Sequence, residues 1–185
     1  MTIIQSILAS INTTAPVTPP ATVDPGWVDL NPYNGIRNSG CVRRDYNQGY
    51  FNDNLSFFTG LTPSATSNPG VVDIYNELND AGIDNYSIEW TGYFIPLTGA
   101  DYIFRTTSDD ASYFWIGTAA IMPTINNVNV NNGGAHGDNT VNGTTVSLSP
   151  GLYYPFRVMY GEAGGGATMR LEYSTDGGKM GRAHV

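Results

Sequence analysis

The sequence predicts an all-β fold, an antiparallel β-sandwich preceded by an extended N-terminal arm. The 185 residues include 22 glycines, and charged side chains make up only 13% of the chain against 12% aromatic. Long amphipathic helices need more lysine and glutamate than this composition supplies. Several short segments with turn signals between them complete the pattern of a sandwich. The length suits one domain with a tail.

Residues 1–25 are predicted to form the arm or linker, and residues 26–185 the sandwich domain. Four prolines favour an extended chain in the arm: Pro16, Pro19, Pro20 and Pro25. The apolar stretch "IIQSILASI" before them is either a short docking helix or a frayed tail, and the sequence leaves both open. As a docking helix it would make the arm a contact for homo-oligomers or for an assembly partner.

Two strands are predicted around a turn in "YSIEWTGYFIPLTGADYIFRTTS". The first has Trp90 and Phe94 among its apolar anchors and ends in a turn with Pro96 and Gly99. The second alternates, with Tyr102 and Phe104 on one face. The next stretch, "SYFWIGTAA", is apolar on both faces, as in an interior strand of a sandwich.

The C-terminal half is predicted as a strand, a Pro-Gly turn and two more strands. The turn lies in "TTVSLSPGLYYPFRVMYGE", and "ATMRLEYST" alternates, with one set of side chains facing inward (Met169, Leu171, Tyr173) and one outward (Arg170, Glu172). The stretch "VVDIYNELNDAG" is predicted to be a short helix. The Asn- and Gly-rich "INNVNVNNGGAHGDNTVNG" is predicted to be a polar loop.

Charge and composition exclude several classes of partner. The formal net charge of −8 argues against nucleic acid, which binds stripes of lysine and arginine. A cation or a neutral, hydroxyl-rich ligand fits better.

No apolar run is long enough to cross a bilayer, so we expect no membrane insertion. The start of the chain has no basic region, so we predict no signal peptide. The single cysteine, Cys41, cannot form an intrachain disulfide.

Two features of the sequence suggest a cation site. Adjacent side chains on a regular strand point to opposite faces, so Asp109 and Asp110 converge only if the peptide between them is irregular, for example cis. Glycines 164–166 separate two strands and form either a plain hairpin or a loop that approaches a ligand. Neighbouring strands can bring both features to one end of a sandwich. Calcium binds about 6 to 8 oxygens, which carboxylates, Glu162 included, and glycine carbonyls supply.

The stretch "YSIEWTGYFIPLTGADYIFRTTSDDASYFWIG" resembles the PA-fourteen family, named from anthrax protective antigen. The shared motifs are a Trp-Thr-Gly-Tyr strand from Trp90, Thr98-Gly99, a Tyr-x-Phe strand from Tyr102, Ser108-Asp109-Asp110 and Ile116-Gly117. The stretch "SPGLYYPFRVMYGEAGGGATMRLEY" resembles the downstream half of the family pattern. The resemblance spans residues 26–175 and is strongest after Tyr86. It implies a jelly-roll type of β-sandwich.

The lectin-like branch of this family, which includes flocculins, GLEYA proteins and bacterial adhesins, implies a calcium site. There a cis Asp-Asp pair holds a calcium ion that binds vicinal hydroxyls of a sugar; Asp109 and Asp110 match that pair. The family's Asn-Ala is replaced here by Glu162-Ala163. The implied ion ligands are Asp109, Asp110, Glu162 and the carbonyls of Ala163, Gly164 and Gly165; the implied sugar contacts are Asp109, Asp110, Glu162 and Gly164.

The function implied is a calcium-dependent lectin-like adhesion module that binds glycans outside the cell or at its surface. An alternative is a structural virion or surface-assembly protein, such as a decoration or fibre component, with or without glycan binding. An enzyme is not expected, because glycosidases take their two acids from different strands and no Ser/His/Asp signature is present. "GAHGD" offers His136 and Asp138 to a metal, but a solvated loop is the favoured interpretation of that stretch.

Overall fold

The computed structural model describes residues 28–29, 36–68 and 83–177. The predicted arm, the predicted helix over residues 71–82 and the chain beyond residue 177 lie outside the described residues. Their structure stays a prediction, as do the domain boundaries. The described part of the chain contains the whole stretch that resembles the PA-fourteen family most strongly.

The described strands form two antiparallel sheets. The four-stranded sheet has the order β1 (Val28–Asp29), β10 (Thr168–Ser174), β5 (Ala100–Asp109), β8 (Asn139–Leu148). The six-stranded sheet has the order β3 (Ala65–Ser67), β2 (Ile36–Tyr46), β4 (Tyr86–Phe94), β9 (Tyr154–Glu162), β6 (Ala111–Ile116), β7 (Val130–Asn132). Three short helical turns connect them: Leu55–Phe58, α1 (Thr118–Ile121) and Ile125–Asn127. The predicted all-β sandwich is confirmed.

The main core lies between the sheets and is largely aromatic. Trp90, Phe104, Phe114 and Tyr160 are buried there. Burial of such large apolar surfaces is the main force that holds two sheets together. In β5 the buried positions alternate from Tyr102 onward, as predicted.

A second core covers the outer face of the six-stranded sheet. Phe51 and Phe58 pack there against Tyr113 and Trp115 of β6. Strand β6 is therefore buried on both faces, as its sequence predicted, and lies between β9 and β7. The segment that follows β2, with Phe51 and Phe58, covers this outer face of the sheet.

Two predictions about polar segments were wrong. The Asn- and Gly-rich stretch contains β7 and the start of β8, because Val130 points into the core and Asn132 is buried in a hydrogen-bond network. Glu172 was expected to face solvent, yet it is only 2% exposed. It is on the predicted face of β10, but Arg105 Nε donates to Glu172 Oε2 at 2.7 Å and covers it.

Two adjacent crossovers between the sheets position the candidate site. The chain leaves β5 of one sheet and enters β6 of the other through Asp110, and it returns from β9 to β10 through residues 163–167. The register pairs Thr168 with Asp109 and Ala111 with Gly161. Both crossovers therefore lie side by side at one end of the sandwich. The glycine-rich segment is a connection between sheets and not a hairpin.

Candidate ion-binding site

Three carboxylates meet where the two crossovers lie side by side. The peptide bond between Asp109 and Asp110 is cis. Asp109, Asp110 and Glu162 each offer one carboxylate oxygen, and these oxygens lie within 4.8 Å of one another. The two features that the sequence suggested would share one end of the sandwich are thus in contact. Their role as ion ligands stays a prediction.

Asp110 joins the two loops that flank this acidic cluster (Asp109, Asp110 and Glu162). Its side chain is almost fully buried. Its Oδ1 accepts a hydrogen bond from the backbone N–H of His136 at 2.7 Å, and its Oδ2 accepts one from Ala163 at 2.8 Å. A carboxylate oxygen can accept two bonds, so each oxygen of Asp110 keeps a free acceptor position. The same residue therefore orders both loops and retains the capacity to bind a cation.

Glu162 has the most unusual environment in the cluster. Its side chain is 0% exposed, and no described residue donates a hydrogen bond to its Oε1. The hydroxyl of Tyr160 lies 3.1 Å from the other oxygen, Oε2. A buried carboxylate oxygen without a partner costs free energy, and nearly all such atoms in folded proteins are paired. Oε1 is thus a polar atom with an open acceptor position inside the cluster.

The environment raises the pKa of Glu162 and that of Asp109. Burial, and then the negative charge of Asp110, raise the pKa of Glu162 to about 7; the Tyr160 hydroxyl and the Gly164 backbone, which lie near this carboxylate, oppose the shift. Burial, followed by the charges of Asp110 and Asp138, also raises the pKa of Asp109. Carboxylates that repel one another in a poorly solvated place are stabilised by a cation.

A buried polar network supports the cluster from the core side. The Tyr160 hydroxyl donates to the carbonyl oxygen of Asp109 at 2.6 Å, which fixes the backbone before the cis peptide bond. Next to it, hydroxyl and amide side chains bond to one another across both sheets: Thr106, Ser108, Ser112, Asn132 and Asn139. A fully bonded network of this kind is rigid and keeps the carboxylates in place.

The glycine-rich loop runs beside the cluster with exposed residues 163–165. Gly165 has a φ of +104°, a conformation that favours glycine, and its N–H donates to Asp84 Oδ1 at 3.1 Å. The loop is thus anchored at Ala163 and Gly165. The predicted use of the Ala163, Gly164 and Gly165 carbonyls as ion ligands stays a prediction.

The sequence missed three contributors to this end of the molecule. His136 contributes through its backbone N–H, while its ring nitrogens lie near the carbonyls of Gly137 and Asn132. Asp53 Oδ1 accepts from the Gly134 N–H at 3.1 Å and so ties down the same loop. The Tyr50 hydroxyl is buried, and burial together with the charges of Asp53, Asp110 and Glu162 raises the pKa of Tyr50 to about 12. No sequence pattern signals a backbone donor, whereas Gly133-Gly134 does indicate a tight turn.

A cavity of about 650 Å³ lies on the outer face of the six-stranded sheet, and its lining contains none of the three acids of the cluster. Its charged side chains already have partners, since Asp53 accepts from the Gly134 N–H and Glu89 pairs with arginine. Arg157 Nη1 donates to Glu89 Oε1 at 2.7 Å, and Arg44 Nη1 lies 3.4 Å from Glu89 Oε2. The acidic cluster, with its unpaired oxygen, is therefore the better candidate for binding.

Residues 86–175 match the GLEYA domain, and this range includes the whole acidic cluster. This match supports membership of the PA14 lectin-like family, the PA-fourteen family of the sequence motifs. Its fold is similar to that of the PA14 sugar-binding domain from an RTX adhesin, with 18% identity and a TM-score of 0.55 over 77% of this chain and 93% of that one.

Two further solved structures share the fold. Epithelial adhesin 6 A domain of Candida glabrata, solved with Galβ1-3GlcNAc, has 15% identity and a TM-score of 0.55, over 83% of this chain and 86% of that one. An anti-sigma factor domain-containing protein has 17% identity and a TM-score of 0.58, over 76% of this chain. At these identities the likeness shows the fold alone.

This chain spans only part of several structural neighbours. It covers 44% of the anti-sigma factor domain-containing protein and 15% of a Kluyveromyces marxianus β-glucosidase solved with glucose. The shared fold thus makes up nearly the whole of the two adhesin domains and only a part of the two larger proteins. No match to this sequence was found among curated proteins. Within the described residues, no helix has the length and apolar character needed to span a bilayer.

Proposed function

We propose that this chain is a calcium-dependent carbohydrate-binding module of an adhesin or other surface protein. The observation that carries the proposal is the unpaired, buried Oε1 of Glu162 beside the carboxylates of Asp109 and Asp110. Membership of the lectin-like family and the adhesin neighbours support the carbohydrate-binding part. The extracellular or cell-surface location is proposed on the same grounds.

The donor set fits calcium better than other common metals. The three side chains of the cluster offer only oxygen. The other predicted ligands, the carbonyls of Ala163, Gly164 and Gly165, are oxygen donors as well. Hard cations prefer such ligands, whereas zinc and copper favour imidazole and thiolate. Magnesium requires a near-ideal octahedron, but calcium accepts the irregular arrangement that two crossover loops provide.

The residue that replaces the family's asparagine is compatible with this proposal. Glu162 adds a third negative charge, and its length lets it reach the Asp pair from the end of β9. A divalent cation would neutralise two of the three charges, which would remove most of the repulsion that, after burial, raises the pKa of Glu162 and Asp109. The substitution changes the strength of the site without removing a ligand oxygen.

The proposed mechanism is chelation. A bound calcium ion with open coordination positions supplies electrostatic attraction for two neighbouring hydroxyl groups of a sugar. Asp109, Asp110 and Glu162 hold the charge in place, and Asp110 orders the loops on both sides through the N–H groups of His136 and Ala163. Exposed residues of these loops, and more widely of residues 126–142, then decide which sugar fits.

We propose binding without turnover. The fold neighbours that this chain nearly spans include adhesin domains, whereas it covers only 15% of the β-glucosidase. None of the proteins named above is described as a virion component, so no observation favours the structural alternative. The proposed partners are glycans or glycoconjugates on a cell surface.

A glycan array tests the proposal. The protein is applied with 2 mM calcium (about a thousandfold above a micromolar site), then with excess EDTA, then with calcium restored. We expect binding to a defined set of sugars that EDTA abolishes and calcium restores. Asp110→Asn should bind none of them, while Asp101→Asn, an exposed acid at the other end of β5, should bind as the wild type. Glycan binding that persists unchanged in EDTA would contradict the mechanism.

A further inference from the structure

Three residues other than glycine have a positive φ in the described part of the chain, and all three lie at the end that carries the acidic cluster. They are Asn52 (+48°), Asp53 (+59°) and Asn85 (+60°). Asn85 directly precedes Tyr86, which pairs with Glu162. Side chains disfavour such a backbone, and it persists where the surrounding structure holds it, often beside a functional site.

Asn52 and Asp53 are the two central residues of a tight turn. The N–H of Asn54 donates to the carbonyl oxygen of Phe51 at 2.9 Å, and a positive φ at both central positions is the pattern of a type I′ turn, which favours Asn and Asp. The N–H of Phe51 donates to Ser87 Oγ at 2.9 Å and so fixes the start of the turn to β4. Backbone bonds thus set the position of Asp53, and its carboxylate is left for a different contact.

That contact is with the loop of residues 133–137. Asp53 Oδ1 accepts a hydrogen bond from the N–H of Gly134 at 3.1 Å. The turn and the loop pack closely here, because a Cβ added at Gly133 would overlap the hydroxyl of Tyr113 and lie 3.1 Å from Asp53 Oδ1. Asp53 therefore holds one side of this loop against the segment that follows β2.

Asp110 of the acidic cluster holds the same loop a short distance further along the chain. Its Oδ1 accepts from the N–H of His136 at 2.7 Å, two residues after Gly134. Two residues span at most about 7 Å, so a displacement of Gly134 also displaces the His136 N–H. The bond that Asp53 makes is thus coupled through the backbone to the bond that orients the Asp110 carboxylate.

We propose that Asp53 is a positioning residue of the ion site. It holds residues 133–137 where the His136 N–H keeps the Asp110 carboxylate in the orientation that binds the ion. Outer hydrogen-bond partners of metal ligands act in this way, and their loss costs about 10- to 100-fold in metal affinity. This inference rests on the proposed function, since it assumes the ion.

Two substitutions of Asp53, which is exposed, separate its hydrogen bond from its charge. Asp53→Gly removes the carboxylate, and glycine adopts a φ of +59° without strain. Asp53→Asn removes the charge but keeps a side-chain oxygen that accepts from the Gly134 N–H. Asp101→Ala is the matched control, because it removes an exposed carboxylate that accepts from Ser147 Oγ at the other end of β5.

Two quantities are measured on the EDTA-treated full chain: calcium affinity, by titration calorimetry with calcium chloride, and the rate at which the backbone N–H of His136 exchanges in heavy water, by NMR of the ion-free protein. In Asp53→Gly we expect affinity to fall by about tenfold or more and the His136 N–H to exchange about tenfold faster. In Asp53→Asn and in the control both quantities should stay within about twofold of the wild type.

The two measurements separate the outcomes. An affinity of Asp53→Gly within about twofold of the wild type would overturn the role of Asp53 and leave the proposed function standing. Equal losses in Asp53→Gly and Asp53→Asn would also overturn it, because the charge and not the hydrogen bond would then set the affinity. Unchanged exchange at His136 in Asp53→Gly would overturn it as well. A wild-type protein that binds no calcium would overturn the proposed function, and the inference with it.

Discussion

Glu162 combines complete burial, an unpaired oxygen and two acidic neighbours in one side chain. Each of these opposes a negative charge, and together they raise the pKa of Glu162 to about 7. At neutral pH such a carboxyl is protonated in about half of the ion-free molecules, and a bound cation would favour the ionised form. The local structure thus links protonation, stability and ion binding at a single position.

Glu162 should make the ion-free protein less stable as the pH rises. Its pKa in the folded protein lies above the ordinary value of 4.5, so its contribution to stability is fully present below about 4.5 and is lost as the pH rises through about 7. Melting temperatures of the ion-free wild type and of Glu162→Gln are compared from pH 4.5 to 8. We expect the wild type to lose stability relative to the variant across this range. A constant difference between the two proteins would contradict the assigned pKa.

At the scale of the elements, the site depends on two crossovers that join the same pair of sheets. Strand β5 continues into β6 through Asp110, and β9 continues into β10 through the glycine-rich loop. The Asp110 side chain then bonds to the N–H groups of Ala163 and His136 and so ties three segments together. A substitution that displaces one of these segments should therefore also change the positions of the other two.

Two glycines of this region should respond very differently to alanine. A Cβ at Gly161 would lie 2.5 Å from Phe51 Cδ1, whereas one at Gly164 would meet only Asp84 Cγ at 3.9 Å. We expect Gly161→Ala to lower the free energy of unfolding by about 1 to 3 kcal/mol, as other overpacked positions do. Gly164→Ala should change it by less than about 0.5 kcal/mol. Urea denaturation measures both, and equal effects would show that the segment around Phe51 is not packed on β9.

The elements that the sequence predicted correctly are those with a clear period. The alternation in β5 and the apolar run of β6 predicted which faces of each strand are buried, because large aromatic side chains are most stable in the core. Strand β7 was missed because its polar Asn132 is buried by bonds to Ser108 and Asn139, which no hydropathy pattern shows. Glu172 was misplaced for a similar reason, since Arg105 covers it from a neighbouring strand.

The acidic cluster was predictable in part. Adjacent aspartates on a strand and a triple glycine some fifty residues later indicated a shared site, and the family motif specified the residues. The bond from the backbone N–H of His136 was not predictable, because almost every residue type carries the same N–H group.

At the scale of the whole molecule, the described chain enters and leaves at the end opposite the acidic cluster. Val28 of β1 pairs with Tyr173 near the end of β10, whereas Thr168 at the start of β10 pairs with Asp109. The cluster therefore lies at the opposite end of β10 from Val28 and Ser174. An attachment at either of these two residues would leave the cluster accessible to a ligand, which is consistent with the proposed adhesin module.

The central claim is that one calcium ion binds between Asp109, Asp110 and Glu162. The most direct test is an anomalous difference map from crystals grown with calcium. We predict a single strong peak about 2.3 to 2.6 Å from oxygens of all three carboxylates, and no such peak in crystals of Asp110→Asn. A map without a peak at the cluster, or with the ion bound elsewhere on the molecule, would contradict the account.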